Sequence, residues 1–497
     1  MKNHSIVNFE NSYNSLPETF FKRVKPEKMP GVDLFLLNQK LSDRLDLDYS
    51  WLKRKDGILF LAGQNLIKDS EPIALAYAGH QFGSFVPQLG DGRAVLLGEV
   101  KDKNGYLKDI HLKGSGKTPF SRSGDGRATL GPVLREYIIS EYMNSINIPT
   151  TRSLAAITTG EKVVREKILP GAILVRIANS HVRVGTFQYF AARQMTKEIK
   201  ILANYIIERH FKLSLSSKNI YEKFLMEIIK SQANLISKWM SAGFIHGVMN
   251  TDNTCLSGET IDYGPCAFMD IFDYNKVFSS IDYQGRYSYK NQPNIILWNL
   301  TRFAETILPL IDNDLNKSIK KAEEILNEFS SIYESNWISI MGYKLGIDDA
   351  NKTDKNLIEE FLTLMQKQKL DFTNSFYSLS FLIEKDRIEK KGLPESHIIY
   401  NKIKSSDWYA KWTKRLNINK KNLKKILKTL LTNNPSIIPR NHIVEKVLND
   451  AINENKKDSL NDFLNALNDP YKIRTFDDPY TKPPSPNEEV TQTFCGT

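Results

Sequence analysis

Gly243-Phe244-Ile245-His246-Gly247-Val248-Met249-Asn250-Thr251-Asp252-Asn253, followed by Asp262-Tyr263-Gly264, decides how the rest of the chain is read. Asn253 stands seven residues after His246, and Asp262 opens the next short motif. An amide oxygen and a carboxylate are hard donors that suit Mg²⁺, a cation usually shared with phosphate groups. The pair therefore points to a site for a metal-borne polyphosphate. Glycines interrupt the periodicity here, so these donors are expected on loops within the stretch 244–293, between helical segments.

Working upstream, Lys113 closes the apolar run Ile110–Leu112, a strand signal, and Glu136 follows 23 residues later inside an expected helix, Leu130–Ile146. A strand lysine held by a glutamate on the next helix is how protein kinases fix a phosphate-binding ammonium. Their catalytic loops also place an Asn seven residues after a His, with Asp-Phe-Gly beyond, where this chain has Asp-Tyr-Gly. One departure matters. Kinases put the carboxylate that receives the substrate hydroxyl two residues after the His, and this chain has Val248 there. Asp252 is the only carboxylate of the loop able to take that role. The motifs thus describe a kinase-like nucleotide site with altered chemistry, or one without any.

Further segments supply phosphate-directed groups. Gln88-Leu89-Gly90-Asp91-Gly92-Arg93, between Phe85-Val86 and Ala94–Leu97, is expected to form a hairpin whose glycines let backbone approach a phosphate. Ser121-Arg122-Ser123-Gly124-Asp125-Gly126-Arg127 is a second glycine-rich loop, and Arg176 and Arg183 end and follow the strand Ala172–Ile177. Guanidinium forks match phosphate oxygens. More donors than a conventional kinase needs suggest a triphosphate lying deeper or reversed.

The whole chain sets bounds on these readings. Its 497 residues carry 68 Lys+Arg against 57 Asp+Glu, a formal charge of +11, with an ordinary soluble balance of 41% hydrophobic and 25% charged residues. The excess is concentrated in residues 411–428, eight Lys or Arg without an acid, but Leu416, Leu423, Ile426, Leu427 and Leu430 give that stretch an apolar helical face. A solvated helix surface is expected, and no nucleic-acid partner. No apolar run of membrane-spanning length occurs, and the first residues lack a secretory or transit pattern, so no membrane association and a cytoplasmic location are expected. Cys255, Cys266 and Cys495 cannot form a disulfide framework, and none is paired at metal-ligand spacing. The texture divides into an N-terminal extension (1–70), a strand-rich nucleotide-binding lobe (71–187), a helical lobe with the catalytic and metal loops (188–475) and an extended proline-bearing tail (476–497). The expected fold is α+β and two-lobed, protein-kinase-like, with a β-rich N-lobe containing one helix, a larger helical C-lobe and terminal extensions.

Assembled, these residues resemble the selenoprotein O family of protein adenylyltransferases, also called the YdiU family. GDGRA, LKGSGKTPFSRSGDGRATLGPVLREY and HGVMNTDN carry the resemblance, which runs from about Tyr77 through Asn434-Pro435 to the C-terminal tail. It implies ATP bound in a flipped orientation and AMP transferred to Ser, Thr or Tyr hydroxyls of protein substrates, with Mg²⁺ or alternatively Mn²⁺. By motif position it implies nucleotide contacts from Gly90, Gly92, Arg93, Lys113, Asp125, Gly126, Arg176, Arg183 and Asp262. It also implies metal ligation by Asn253 and Asp262, anchoring of Lys113 by Glu136, and Asp252 as the base. Many eukaryotic members carry selenocysteine near the C-terminus. By that analogy Cys495 has a redox role and pairs with Cys266. Alternatives on the same fold are a uridylyltransferase, a conventional phosphotransferase and an ATP-binding pseudokinase scaffold.

Overall fold

A computed structural model describes residues 7–383, 396–454 and 456–494. The chain first gives β1 (Phe21–Arg23), β2 (Asp33–Leu37) and three short helices, α1 (Gln39–Arg44), α2 (Tyr49–Leu52) and α3 (Lys55–Leu61). β3 (Ile73–Leu75) follows, then a separate small hairpin of β4 (Gly79–Gln81) and β5 (Ser84–Val86). β6 (Ala94–Lys101), β7 (Leu107–Lys113) and β8 (Ala128–Thr129) lead into α4 (Leu130–Ser145), and β9 (Arg152–Val164) and β10 (Ile168–Ala178) complete an eight-stranded sheet. Its order is β1-β3-β6-β7-β10-β9-β2, with β8 also on β10, and the pairings are antiparallel.

The sheet is buried on both faces, which explains its unbroken apolar runs. Side chains alternate across a strand. Along β10, Ala172 and Leu174 join the core built on Leu134, Ile138 and Tyr142 of α4. Ile173, Val175 and Ile177 point the other way, into a core with Trp51, Leu52, Phe60 and Leu61. Residues 7–70, within the stretch expected as an extension, therefore contribute two strands to this sheet and the helices that cover one of its faces.

One further expectation is corrected. The hairpin joining Phe85-Val86 to Ala94–Leu97 does not form. β5 pairs with β4, while Leu89 and Gly90 N–H donate to Tyr77 O and Asp91 N–H to Leu75 O, so the glycine segment folds back across residues 75–77. The donors that a hairpin would have used are taken by that crossing. Farther along, Lys355–Gln368 and Phe372–Ile383 are separate helices, broken where Lys369 adopts φ +50°.

From Val184 onward the structure is helical: α5 (Val184–Ala191), α6 (Thr196–His210), α7 (Ile220–Ala242), α8 (Gln292–Ile311), α9 (Leu315–Lys344), α10 (Lys355–Gln368) and α11 (Phe372–Ile383). α12 (Ser396–Lys404), α13 (Asp407–Leu416), α14 (Leu423–Asn433), α15 (Asn441–Asn453) and α16 (Lys457–Leu467) complete it. Between α7 and α8 runs the loop region, pinned by a two-stranded pair, β11 (Phe244–Ile245) and β12 (Ala267–Phe268). The lysine-rich stretch forms α13 and α14, whose Trp408, Trp412, Leu416, Ile426 and Leu430 are buried. Its cations Lys411, Arg415 and Lys425 pair with Glu360, Asp354 and Asp348. No described helix is long and apolar enough to cross a membrane. Residues 476–494 contain no regular helix or strand, and Thr493 forms a parallel bridge to Ser279.

Candidate active site

The strand register places the central charges. Leu174 lies opposite Lys113 and Arg176 opposite His111, so Lys113 at the end of β7 neighbours Arg176 on β10. Arg176 shares its strand face with Leu174 and meets α4, where Glu136 projects inward. Arg176 Nε and Nη2 donate to Glu136 Oε1 (2.9 and 2.6 Å), and Lys113 Nζ donates to Glu136 Oε2 (2.7 Å). Both cations also reach Asp262 Oδ1, Lys113 at 2.9 Å and Arg176 at 2.7 Å. Burial works against charge on Asp262, but Arg176, Lys113 and Arg183 outweigh it and hold the carboxyl well below its usual range. Glu136 is likewise held ionised against its burial by Arg176 and Lys113.

The 246–253 loop is held from below by His246. Its Nε2 lies 2.8 Å from Ile261 O, and its ring stacks on Trp239 at 5.2 Å. His246 thus anchors the loop. Asn253 Nδ2 donates to Val248 O (3.0 Å), which commits the amide nitrogen and leaves the amide oxygen for another partner. Asp252 is buried, and burial pushes its carboxyl up to about 6, against the pull of Arg183 and of Gln81. Its Oδ2 accepts a long contact from Gln81 Nε2 (3.4 Å), while Oδ1 is buried with no hydrogen-bond partner among the described residues. Arg183 Nη1 donates to the backbone oxygen of Asp252 (3.0 Å), and its guanidinium lies over the Tyr77 ring at 4.5 Å.

Two glycines are required by close approach. A Cβ on Gly90, whose φ is +75°, would lie 2.3 Å from the Phe120 ring. One on Gly79 would lie 2.4 Å from Asp252 Oδ1, so the missing side chain makes the space that carboxylate occupies.

A cavity of about 950 Å³ joins these groups. Gly90, Gly92, Arg93, Lys113, Asp125, Gly126, Glu136, Arg176, Arg183, Asp252, Asn253 and Asp262 all line it. Asp125 sits at the exposed rim, paired with Arg165 (2.7 Å). Cys266 is buried with its Sγ 3.4 Å from Tyr263 O, and Cys495 lies outside the described residues. The sequence reading missed Gln81 and Arg165, and also the tail, whose Val490, Gln492, Thr493 and Phe494 form one wall. Gln81 lies near the start of the stretch that carries the family resemblance, but nothing in spacing tells that it reaches a loop 171 residues away. Thr493 Oγ1 donates to Pro265 O (2.5 Å) and its N–H to Phe278 O (2.7 Å), so the tail is fastened beside the Asp262 segment.

The donor set fits a hard cation carried in with phosphates. Asn253 offers a free amide oxygen, and Asp262 Oδ2 has only a 3.7 Å contact to Arg183. No cluster of three or more His, Cys, Asp or Glu able to hold a metal occurs among the described residues. A site with two protein oxygens, completed by phosphate and water, is what Mg²⁺ commonly accepts.

Comparison with known proteins agrees with this chemistry. The family model described as "Protein adenylyltransferase SelO" matches residues 4–468. A Clostridium botulinum (strain Loch Maree / Type A3) protein named "Protein nucleotidyltransferase YdiU" is 49% identical over 491 residues, covering 99% of this chain and 98% of that protein. A Rhodopseudomonas palustris (strain BisB18) protein of the same name is 48% identical over 493 residues, covering 98% and 99%. With a match that spans the sheet, the catalytic loops and most of the helical region, this chain belongs to the SelO family of protein adenylyltransferases.

Proposed function

We propose that this chain has the two-lobed, kinase-like architecture of its motifs and transfers AMP from ATP to Ser, Thr or Tyr hydroxyls of proteins, releasing pyrophosphate. The observation that carries the reading is the set of groups gathered on one cavity. Lys113, Arg176 and Arg183 converge on Asp262, and Asp252, the only carboxylate of its loop, stands beside Gln81, while the kinase base position is Val248.

In the proposed reaction the acceptor oxygen forms a bond to the α-phosphorus as the bond from that phosphorus to the bridging oxygen of pyrophosphate breaks. Asp252 lies within the cavity to orient the hydroxyl and accept its proton. Its carboxyl, pushed up by burial, is the group of that loop suited to this exchange. Lys113, Arg176 and Arg183 stabilise charge on the phosphates, and Glu136 keeps two of those cations in place. Asn253 and Asp262 would hold Mg²⁺, or Mn²⁺ in its place, which neutralises phosphate charge. The cations sit in a largely buried site, where they act more strongly than in water.

The relatives' name, protein nucleotidyltransferase, leaves the base open, so transfer of UMP from UTP is the second reading. Intact-mass analysis of protein incubated with each nucleotide separates the two: an AMP adduct from ATP is expected, and a UMP or phosphate adduct in its place would overturn the reading. The pairing of Cys266 with Cys495 is retained as a redox proposal, supported by the fastening of Thr493 beside Pro265. It requires Cys495→Ser to abolish any difference in activity between oxidising and reducing conditions, and it fails if that difference persists.

A further inference from the structure

Beside Asp252 lies a surface that the transfer chemistry leaves unused. The β4–β5 hairpin is tied to the catalytic loop by His80 N–H to Thr251 Oγ1 (2.7 Å) and Phe82 N–H to Asn250 Oδ1 (3.0 Å). Gln81 faces Asp252, so strand alternation puts His80 and its cross-strand partner Phe85 on the opposite face. There His80 meets the Trp298 ring edge-on at 5.1 Å, and Phe85, 41% exposed, packs on His80 at 4.8 Å. Trp298 is flanked by two guanidinium groups, Arg286 at 4.9 Å and Arg302 at 5.3 Å.

The two arginines differ in their partners. Arg302 is paired with Glu305 (2.6 Å). Arg286 has no ion pair with a carboxylate among the described residues, and its Nε is buried without a hydrogen-bond partner. The loop that carries it is rigidly seated, with Asp282 accepting from Arg286 N–H (2.9 Å) and Tyr287 N–H (2.8 Å). A guanidinium laid on an indole is pre-oriented, and its remaining N–H groups can fork onto a carboxylate. Tryptophan and arginine are also among the residues enriched at the hot spots of protein interfaces.

We propose that this stack grips the acceptor protein and that Arg286 selects segments with Asp or Glu close to the hydroxyl that receives the nucleotide. The charge of the patch fits that occupant, since Glu305 pairs with Arg302 and Arg286 has no carboxylate partner among the described residues. The inference rests on the reading of Asp252 as the base and of protein hydroxyls as acceptors.

The test uses the full-length enzyme with Mg²⁺, α-labelled ATP and peptide libraries that have a fixed Ser, Thr or Tyr and randomised flanks. Wild type is expected to favour Asp or Glu at one or more flanking positions by about tenfold, and Arg286→Glu to lose or invert that preference. Trp298→Ala, which removes the support of the guanidinium, is expected to weaken the preference by raising KM with kcat retained. The ATP-induced rise in melting temperature, the same in all three proteins, shows that the variants are folded. Labelled peptides with identical flank preferences in wild type and Arg286→Glu, or a wild type indifferent to acids, would overturn the proposal while leaving the transfer reading intact. Absence of label on both the enzyme and the peptides would contradict both.

Discussion

At the scale of single residues, Asp252 bears the most weight. It combines burial, an unpartnered oxygen and a place beside the Asn253 loop. Asp252→Asn keeps the shape and removes the proton acceptor. We expect transfer to fall by about 10²–10⁴-fold with ATP binding retained, measured as single-turnover labelling beside ATP titration. Gly79→Ala tests the same site from the other side. Its Cβ would lie 2.4 Å from Asp252 Oδ1, so the base must shift, and kcat is expected to fall by about 10²-fold with little change in KM for ATP. Asp252, Lys113 and Asp262, which line one cavity, were legible as candidates from their motifs. Gly79 and Gln81 were not, because their role comes from a contact between segments about a third of the chain apart.

At the scale of elements, the site depends on α4 meeting β7 and β10. Glu136 is the joint, accepting from both Lys113 and Arg176 in a buried setting. Removing one partner of such a group leaves uncompensated charge. Glu136→Ala is expected to cost about 3–5 kcal/mol by denaturant unfolding, and Glu136→Gln less, because the amide still offers one acceptor oxygen. The helix and the strands that carry these groups could be read from periodicity, since their apolar runs are long and bounded by turns. The glycine hairpin could not be read correctly. Gly90-Asp91-Gly92 has the composition of a turn between paired strands, but the donors of residues 89–91 bond to residues 75–77, a tertiary choice with no local signature.

At the scale of the whole molecule, the first 70 residues looked peripheral because their strands are only three and five residues long. Their apolar side chains prove to cover one face of the sheet, and the tail reaches back to wall the cavity. The helical region carries a cost of its own. Lys344, at the end of α9, is buried over the Phe376 ring at 4.5 Å, and burial pushes its ammonium down to about 7. An unfolded lysine titrates near about 10.4, so between that pH and about 7 the unfolded chain binds the proton that the folded one rejects. This group therefore makes stability rise with pH across that window, with its full cost present below it. Lys344→Met should raise the melting temperature at pH 7, by at most about 4 kcal/mol in stability, with the gain shrinking towards pH 10. A variant less stable than wild type at neutral pH would contradict that reading.

The most direct measurement of the transfer itself places ATP labelled at the α-phosphorus and ATP labelled at the γ-phosphorus in parallel incubations with enzyme, Mg²⁺ and a protein acceptor. Label retained on protein from the α position alone, and lost in Asp262→Ala, is the expected result. Label retained from the γ position and absent from the α position would contradict adenylyl transfer.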